Sequence, residues 1–162
     1  MGAGRGRRGG AAGTPLIGDV GPADLDGLRT LFREYVDSLG EHGWLDGFDE
    51  ELAALPGGYE VLLLASVEDR LAGCVALRPL LDGACELKRL YVRPEARGSG
   101  TGRALVEAVI ARARRLGYET MRLDTLPSLS AARALYESLG FVEIERYNDN
   151  PIDGVVFFEL PL

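Results

Sequence analysis

Two hydrophobic periods divide this chain. Over residues 23–39, Leu25, Leu28, Leu31, Phe32, Val36 and Leu39 recur three or four apart, which predicts an amphipathic helix behind the Gly21-Pro22 break. Residues 101–116 repeat the pattern. There Leu105, Val106, Val109, Ile110, Ala113 and Leu116 form the apolar stripe, while Glu107, Arg112, Arg114 and Arg115 fall mostly on the wet face. Gly117 supplies the stop. Shorter apolar runs at 16–20, 61–65, 71–77, 84–92, 121–126, 141–144 and 155–160 read as strands. Glu68-Asp69-Arg70 and Asp82-Gly83 supply turns between them. A short helix over 49–55 stops before Pro56-Gly57-Gly58, and Ser128 caps a last helix that ends before Gly140. Strands come first and then alternate with helices. That order predicts an α/β fold of the α+β type, one mixed sheet with helices on both faces. One domain over 15–162 follows a Gly/Arg/Ala-rich tail over 1–14.

Charge and cysteine usage narrow the partners. The formal net charge is −7, although Arg5, Arg7 and Arg8 make the first ten residues basic, so the body is more acidic than the whole. Such a surface argues against nucleic acid and mildly favours a cationic or amine substrate. Cys74 and Cys85 lie in apolar strand-like runs without C-x-x-C spacing, so free core thiols in a reducing, cytoplasmic compartment are expected. His42 is the sole histidine, which excludes a histidine-rich metal site, and no metal is expected. There is no apolar run of about 18 residues to span a membrane and no apolar core in the tail to make it a secretory signal. A homodimer is the default assembly.

The most informative stretch is Arg97-Gly98-Ser99-Gly100-Thr101-Gly102, set between an apolar strand and the second helix. Glycines at alternate positions let the backbone take conformations closed to other residues, and a helix start adds free N–H groups and a favourable dipole. This builds a cradle for phosphate. It is neither a triphosphate P-loop, since no Lys-Ser or Lys-Thr follows, nor G-x-G-x-x-G.

The residues from Glu86 through Leu105, with Arg97, Gly100 and Gly102 meeting Arg/Gln-x-x-Gly-x-Gly/Ala, resemble motif A of the GNAT acetyltransferase superfamily. Ala132, Tyr136, Gly140 and Phe141 resemble its motif B, Ala-x-x-x-Tyr-x-x-x-Gly-Phe. The resemblance implies a mostly antiparallel sheet with one splayed parallel strand pair, and acetyl-coenzyme A as co-substrate entering between the strands that carry Leu90 and Thr125. A bulge at Leu90, Tyr91 and Val92 would free backbone groups for the pantetheine amides. Gly98, Ser99, Gly100, Thr101, Gly102 and Arg103 would meet the pyrophosphate, with Arg97 and Arg103 adding charge. Leu129 stands where the family often has Asn, so that contact passes to backbone, Ser128, Ser130 or Arg133.

Tyr136 matches the family's general acid, and its helical spacing with Ala132, Leu135 and Leu139 turns it inward, as a plain core tyrosine would also be. Glu86 matches the general base of several branches and Asp124 that of others; both have structural alternatives, with Lys88 or Arg122 as partners. Neither cysteine lies in a motif, so direct transfer to a primary amine is expected, the acceptor being a small molecule, an amino acid or a peptide N-terminus. Trp44, Phe48 and the 147–151 loop are candidates to wall the acceptor site or to fill the core. The competing reading is a non-catalytic acyl-coenzyme A-binding module.

Overall fold

Each predicted stripe finds a sheet face to cover. The computed structural model describes residues 13–40 and 46–162. The elements are β1 (Leu16–Asp19), α1 (Leu25–Ser38), α2 (Phe48–Ala54), β2 (Val61–Val67), β3 (Arg70–Pro79), β4 (Ala84–Val92), α3 (Thr101–Arg115), β5 (Thr120–Thr125), α4 (Ser130–Ser138), β6 (Val142–Ile144) and β7 (Val156–Pro161). One seven-stranded sheet runs β1-β2-β3-β4-β5-β7-β6. Every pairing is antiparallel except β4 with β5. The expected mixed sheet, with a single parallel pair, is the one found.

α1 and α2 cover one face, burying Leu28, Leu31, Phe32, Val36, Phe48 and Leu52 against Leu62, Cys74, Ala76 and Tyr91. α3 and α4 cover the other, where Leu105, Val106, Val109, Ala113 and Tyr136 meet Val75, Leu77, Leu87, Leu123 and Phe158. Removing each such side chain from water contributes on the order of 2 kcal/mol, so the two layers carry the fold. Both cysteines are free and buried, Cys74 in one layer and Cys85 in the other. Burial pushes the Cys85 thiol up to about 12 and drives that of Cys74 upward as well.

The turns are built as their residues require. Glu68 and Asp69 take φ of +50° and +62°, and Asp82 and Gly83 +58° and +75°, two tight hairpins of the primed type. Two expectations fail locally. Leu116 is 46% exposed, because α3 ends at Arg115 and the chain leaves through Gly117 at φ +88°. Ser128 does not cap α4; Leu129 holds that position, with no side-chain cap bond. His42, Trp44 and most of the tail lie outside the described residues.

Two irregularities open the middle of the sheet. Cys74 faces Tyr91 and Ala76 faces Lys88, so Val75 alone spans Arg89 and Leu90, and Arg89 takes φ +58° to make this bulge. On the other side, β4 and β5 pair only through Ala84–Thr120, Cys85–Met121 and Glu86–Arg122. Beyond that point the strands part, and the separation becomes the candidate site.

Candidate active site

The cradle lies at the wide end of the split. Gly98 and Gly100 take φ of +79° and +83°, a region in which a side chain is strained by about 1–2 kcal/mol. Among the described residues, the backbone N–H groups of Gly98, Ser99, Gly100, Thr101, Gly102 and Arg103 donate no hydrogen bond; the first helical bond is Ala104 N–H to the Gly100 carbonyl. Six consecutive donors at a helix N-terminus fit an anionic phosphate group, as the sequence leads one to expect. Ser99 Oγ bonds the Ala96 carbonyl at 2.5 Å and Thr101 Oγ1 at 2.8 Å, which fixes the loop from within.

A cavity of about 470 Å³ extends from this loop. Its walls include Leu90, Tyr91 and Val92 of β4, the cradle residues Arg97, Gly98, Gly100, Thr101, Gly102 and Arg103, and Ser128 to Ala132. Ser99 and Arg133 lie off this lining. Arg97 Nε donates to the Val92 carbonyl at 3.0 Å, and Arg103 Nη2 donates to Ser138 Oγ at 2.7 Å. Both guanidiniums therefore already hold the loop and helix ends in place. Arg133 Nε is buried without a hydrogen-bond partner among the described residues.

A smaller inner cavity of about 80 Å³ lies in the split itself, lined by residues that include Leu87 to Leu90, Asp124, Thr125 and Tyr136. Tyr35, Leu90, Leu129 and Ala132 border both cavities, so the two spaces adjoin. Tyr136 is buried against Phe141 and Phe158. Its hydroxyl has no hydrogen-bond partner among the described residues, and burial, with Tyr35 and Asp124 nearby, pushes the phenol above its ordinary value.

The two candidate carboxylates are held differently. Glu86 is fully buried. Its Oε1 takes Arg78 Nε and Nη2 at 2.7 Å each, and its Oε2 accepts Tyr147 Oη at 2.5 Å. Glu86 does not border the inner cavity. Burial and the hydrogen bond to Glu86 raise the Tyr147 phenol. Arg122 pairs with Glu159 at 2.9 Å and not with Glu86. Asp124 does border the cavity. Its Oδ2 accepts Asn148 Nδ2 at 2.7 Å and Asn150 Nδ2 at 3.3 Å, while its Oδ1 is unfilled among the described residues.

Four groups escaped the sequence reading. Arg78 stands opposite Glu86 only through the β3–β4 register. Asn148 and Asn150 reach Asp124 from a loop already noted for its aromatic residue, but asparagines in a turn carry no sequence mark of a tertiary contact. Arg89, at the bulge, makes a paired contact with Glu51 at 2.7 and 3.0 Å and lies over Tyr35 and Phe48. Burial works against the Arg89 charge, but the Glu51 contacts outweigh it and raise its pKa. Phe48 thus belongs to the core, as one of its two expected roles had it.

Comparisons with known proteins agree with this geometry. The acetyltransferase (GNAT) family model matches residues 26–141. An uncharacterized N-acetyltransferase of Schizosaccharomyces pombe is 42% identical over 147 residues, covering 87% of this chain and 90% of that protein. A GNAT-family acetyltransferase of Staphylococcus aureus has the same fold at TM-score 0.74 and 19% identity, over 91% of this chain and 99% of its own. An N-acetyltransferase from Thermoplasma acidophilum, solved in complex with coenzyme A, matches at TM-score 0.71 and 18% identity over 92% and 99%. Cradle, split strands and matched family together make this chain a GNAT-family N-acetyltransferase.

Proposed function

We propose that this enzyme transfers the acetyl group of acetyl-coenzyme A directly to a primary amine, with Tyr136 as general acid and Asp124 as the group that receives the amine proton. The observation that carries the reading is that the two cavities adjoin: among the described residues, six unbonded N–H donors open one end, and an unpartnered phenol and a half-free carboxylate line the other. Gly98 to Arg103 would hold the pyrophosphate, and the edge of β4 around Leu90, Tyr91 and Val92, unpaired with β5, the pantetheine arm. Arg97 and Arg103, which line the cavity, would add positive charge. Acetyl-coenzyme A supplies the activated acyl group. The amine nitrogen attacks its carbonyl carbon, the tetrahedral intermediate collapses, and the C–S bond breaks. Tyr136, whose phenol stays protonated at neutral pH, then gives its proton to the departing thiolate.

Glu86 enters this scheme as a positioning residue in place of the base expected from sequence. Both its oxygens are occupied, and its bond from Tyr147 tethers the loop whose asparagines hold Asp124. Deeply buried Cys74 and Cys85 favour direct transfer over an acyl-enzyme. The test is calorimetry of acetyl-coenzyme A binding together with coenzyme A release on a panel of amines. Binding accompanied by amine-dependent release supports the reading, and binding without release from any amine would leave a non-catalytic acyl-coenzyme A module.

A further inference from the structure

The inner cavity separates two opposite charges that ordinary sheet geometry would have joined. Glu86–Arg122 is the last pair between β4 and β5. Two residues further along each parallel strand, Lys88 and Asp124 stand level and on one face. At normal strand spacing such a cross-strand pair closes into an ion pair. Here none forms within 4.0 Å among the described residues, and both residues line the cavity between the parting strands.

Each charge keeps bonding capacity in reserve. The only polar partner of the Lys88 ammonium among the described residues is Glu86 Oε1, at 3.9 Å, an oxygen that Arg78 already engages at 2.7 Å. The Lys88 side chain is 19% exposed. Arg89 also borders the cavity, but Glu51 neutralises it. Asp124 has one oxygen fixed by two asparagines and the other unfilled. A half-buried charge whose bonding capacity is only partly used is unfavourable, so this arrangement favours a ligand that answers both signs at close range.

We infer that the acceptor is a free α-amino acid, its amine directed to Asp124 and its carboxylate to Lys88. This rests on the acetyltransferase reading above and narrows it. A simple amine leaves Lys88 unanswered, and a peptide N-terminus presents an amide where the carboxylate should be. A space of about 80 Å³ suits the few atoms of an amino-acid head group, with its side chain directed outward.

The full-length enzyme is assayed for coenzyme A release and acetylated product with L-amino acids and, for each, the matching carboxamide. Amino acids should exceed their amides at least tenfold in kcat/KM. Lys88→Met should collapse that ratio, chiefly by raising KM for the acids, and Lys88→Arg should restore much of it. Acetyl-coenzyme A binding by calorimetry verifies that each variant is folded. A wild-type acid-to-amide ratio near one overturns the inference, as does a preference that survives in folded Lys88→Met. Acetylation of other amines but of no amino acid overturns it too, while leaving the transferase reading standing. Failure of every amine despite coenzyme binding sinks both.

Discussion

As the proposed general acid, Tyr136 would owe its usefulness to poor company. Packed by Phe141 and Phe158 and offered no hydrogen-bond acceptor by the described residues, its hydroxyl keeps its proton well past neutral pH. Tyr136→Phe should lower kcat on the order of 10²-fold with little change in acetyl-coenzyme A affinity, read by steady-state kinetics beside calorimetry. Because the shift is upward, the wild-type rate should show no alkaline fall from this group up to about pH 10; a decline near pH 8 that the Phe variant lacks would contradict the assignment. In the proposed scheme the two carboxylates divide the remaining work. Asp124→Asn should reduce turnover strongly and alter the acid limb of the pH–rate profile. Glu86→Gln should instead lower the melting temperature and keep the profile's shape, because it weakens both the buried contact with Arg78 and the bond from Tyr147 that tethers the neighbouring loop. Equal kinetic damage from both variants, without thermal loss in Glu86→Gln, would return the base role to Glu86.

The loop before α3 and the split between β4 and β5 act as units. A Cβ at Gly102 would meet only Leu135 Cδ2 at 3.5 Å and Val92 Cγ2 at 3.7 Å, ordinary contacts, yet Gly102 lines the large cavity. Gly102→Ala should therefore fold normally, with a melting temperature within about 2 °C of wild type, and still bind acetyl-coenzyme A more weakly. At Gly100 nothing lies within 4 Å of a would-be Cβ; the obstacle is φ +83°. Gly100→Val must re-shape the loop, and calorimetry should show at least a tenfold loss of affinity in a protein that remains folded. How far these units were readable follows from what each depends on. Glycine spacing and the strand-to-helix switch are local, so the cradle was legible. The family resemblance led one to expect a bulge at Leu90, Tyr91 and Val92; it lies instead at Arg89 and Leu90, since nothing in Lys88-Arg89-Leu90 marks Arg89 for φ +58°. The grip of Asn148 and Asn150 on Asp124 depends on a loop folding back across β5 and was invisible.

Across the whole molecule, helical and strand periods predicted nearly every element, because each stripe has a matching face of one sheet. Misplacements fell at helix ends: Leu116 beyond α3 and Ser128 before α4, where backbone conformation and not side-chain character decides. Long-range ion pairs were likewise unreadable. Arg112 binds Asp19 at 2.7 and 2.9 Å, fastening the edge strand β1 to α3. The hydrogen bond from Arg112 holds the Asp19 carboxyl below its ordinary value. Its stabilisation is therefore present above the unfolded carboxyl pKa of about 4 and disappears as pH falls through the lower folded value. With Asp19 65% exposed, the pair contributes under about 1 kcal/mol. Asp19→Asn should lower the melting temperature slightly at pH 7 and not at all near pH 2, by calorimetric scanning at both values.

The two sulfhydryls have a practical corollary. At pH 8 almost none of Cys85 is ionised, and both sulfurs are shielded by the layers that bury them. A chromogenic disulfide reagent added to the working enzyme should find the protein silent and react only with the newly freed coenzyme. Each molecule of acetylated product would then register as one coloured equivalent, with no background from the catalyst. A slow rise in colour without any amine would mark opening of the core, so one cuvette would follow both turnover and the integrity of the fold.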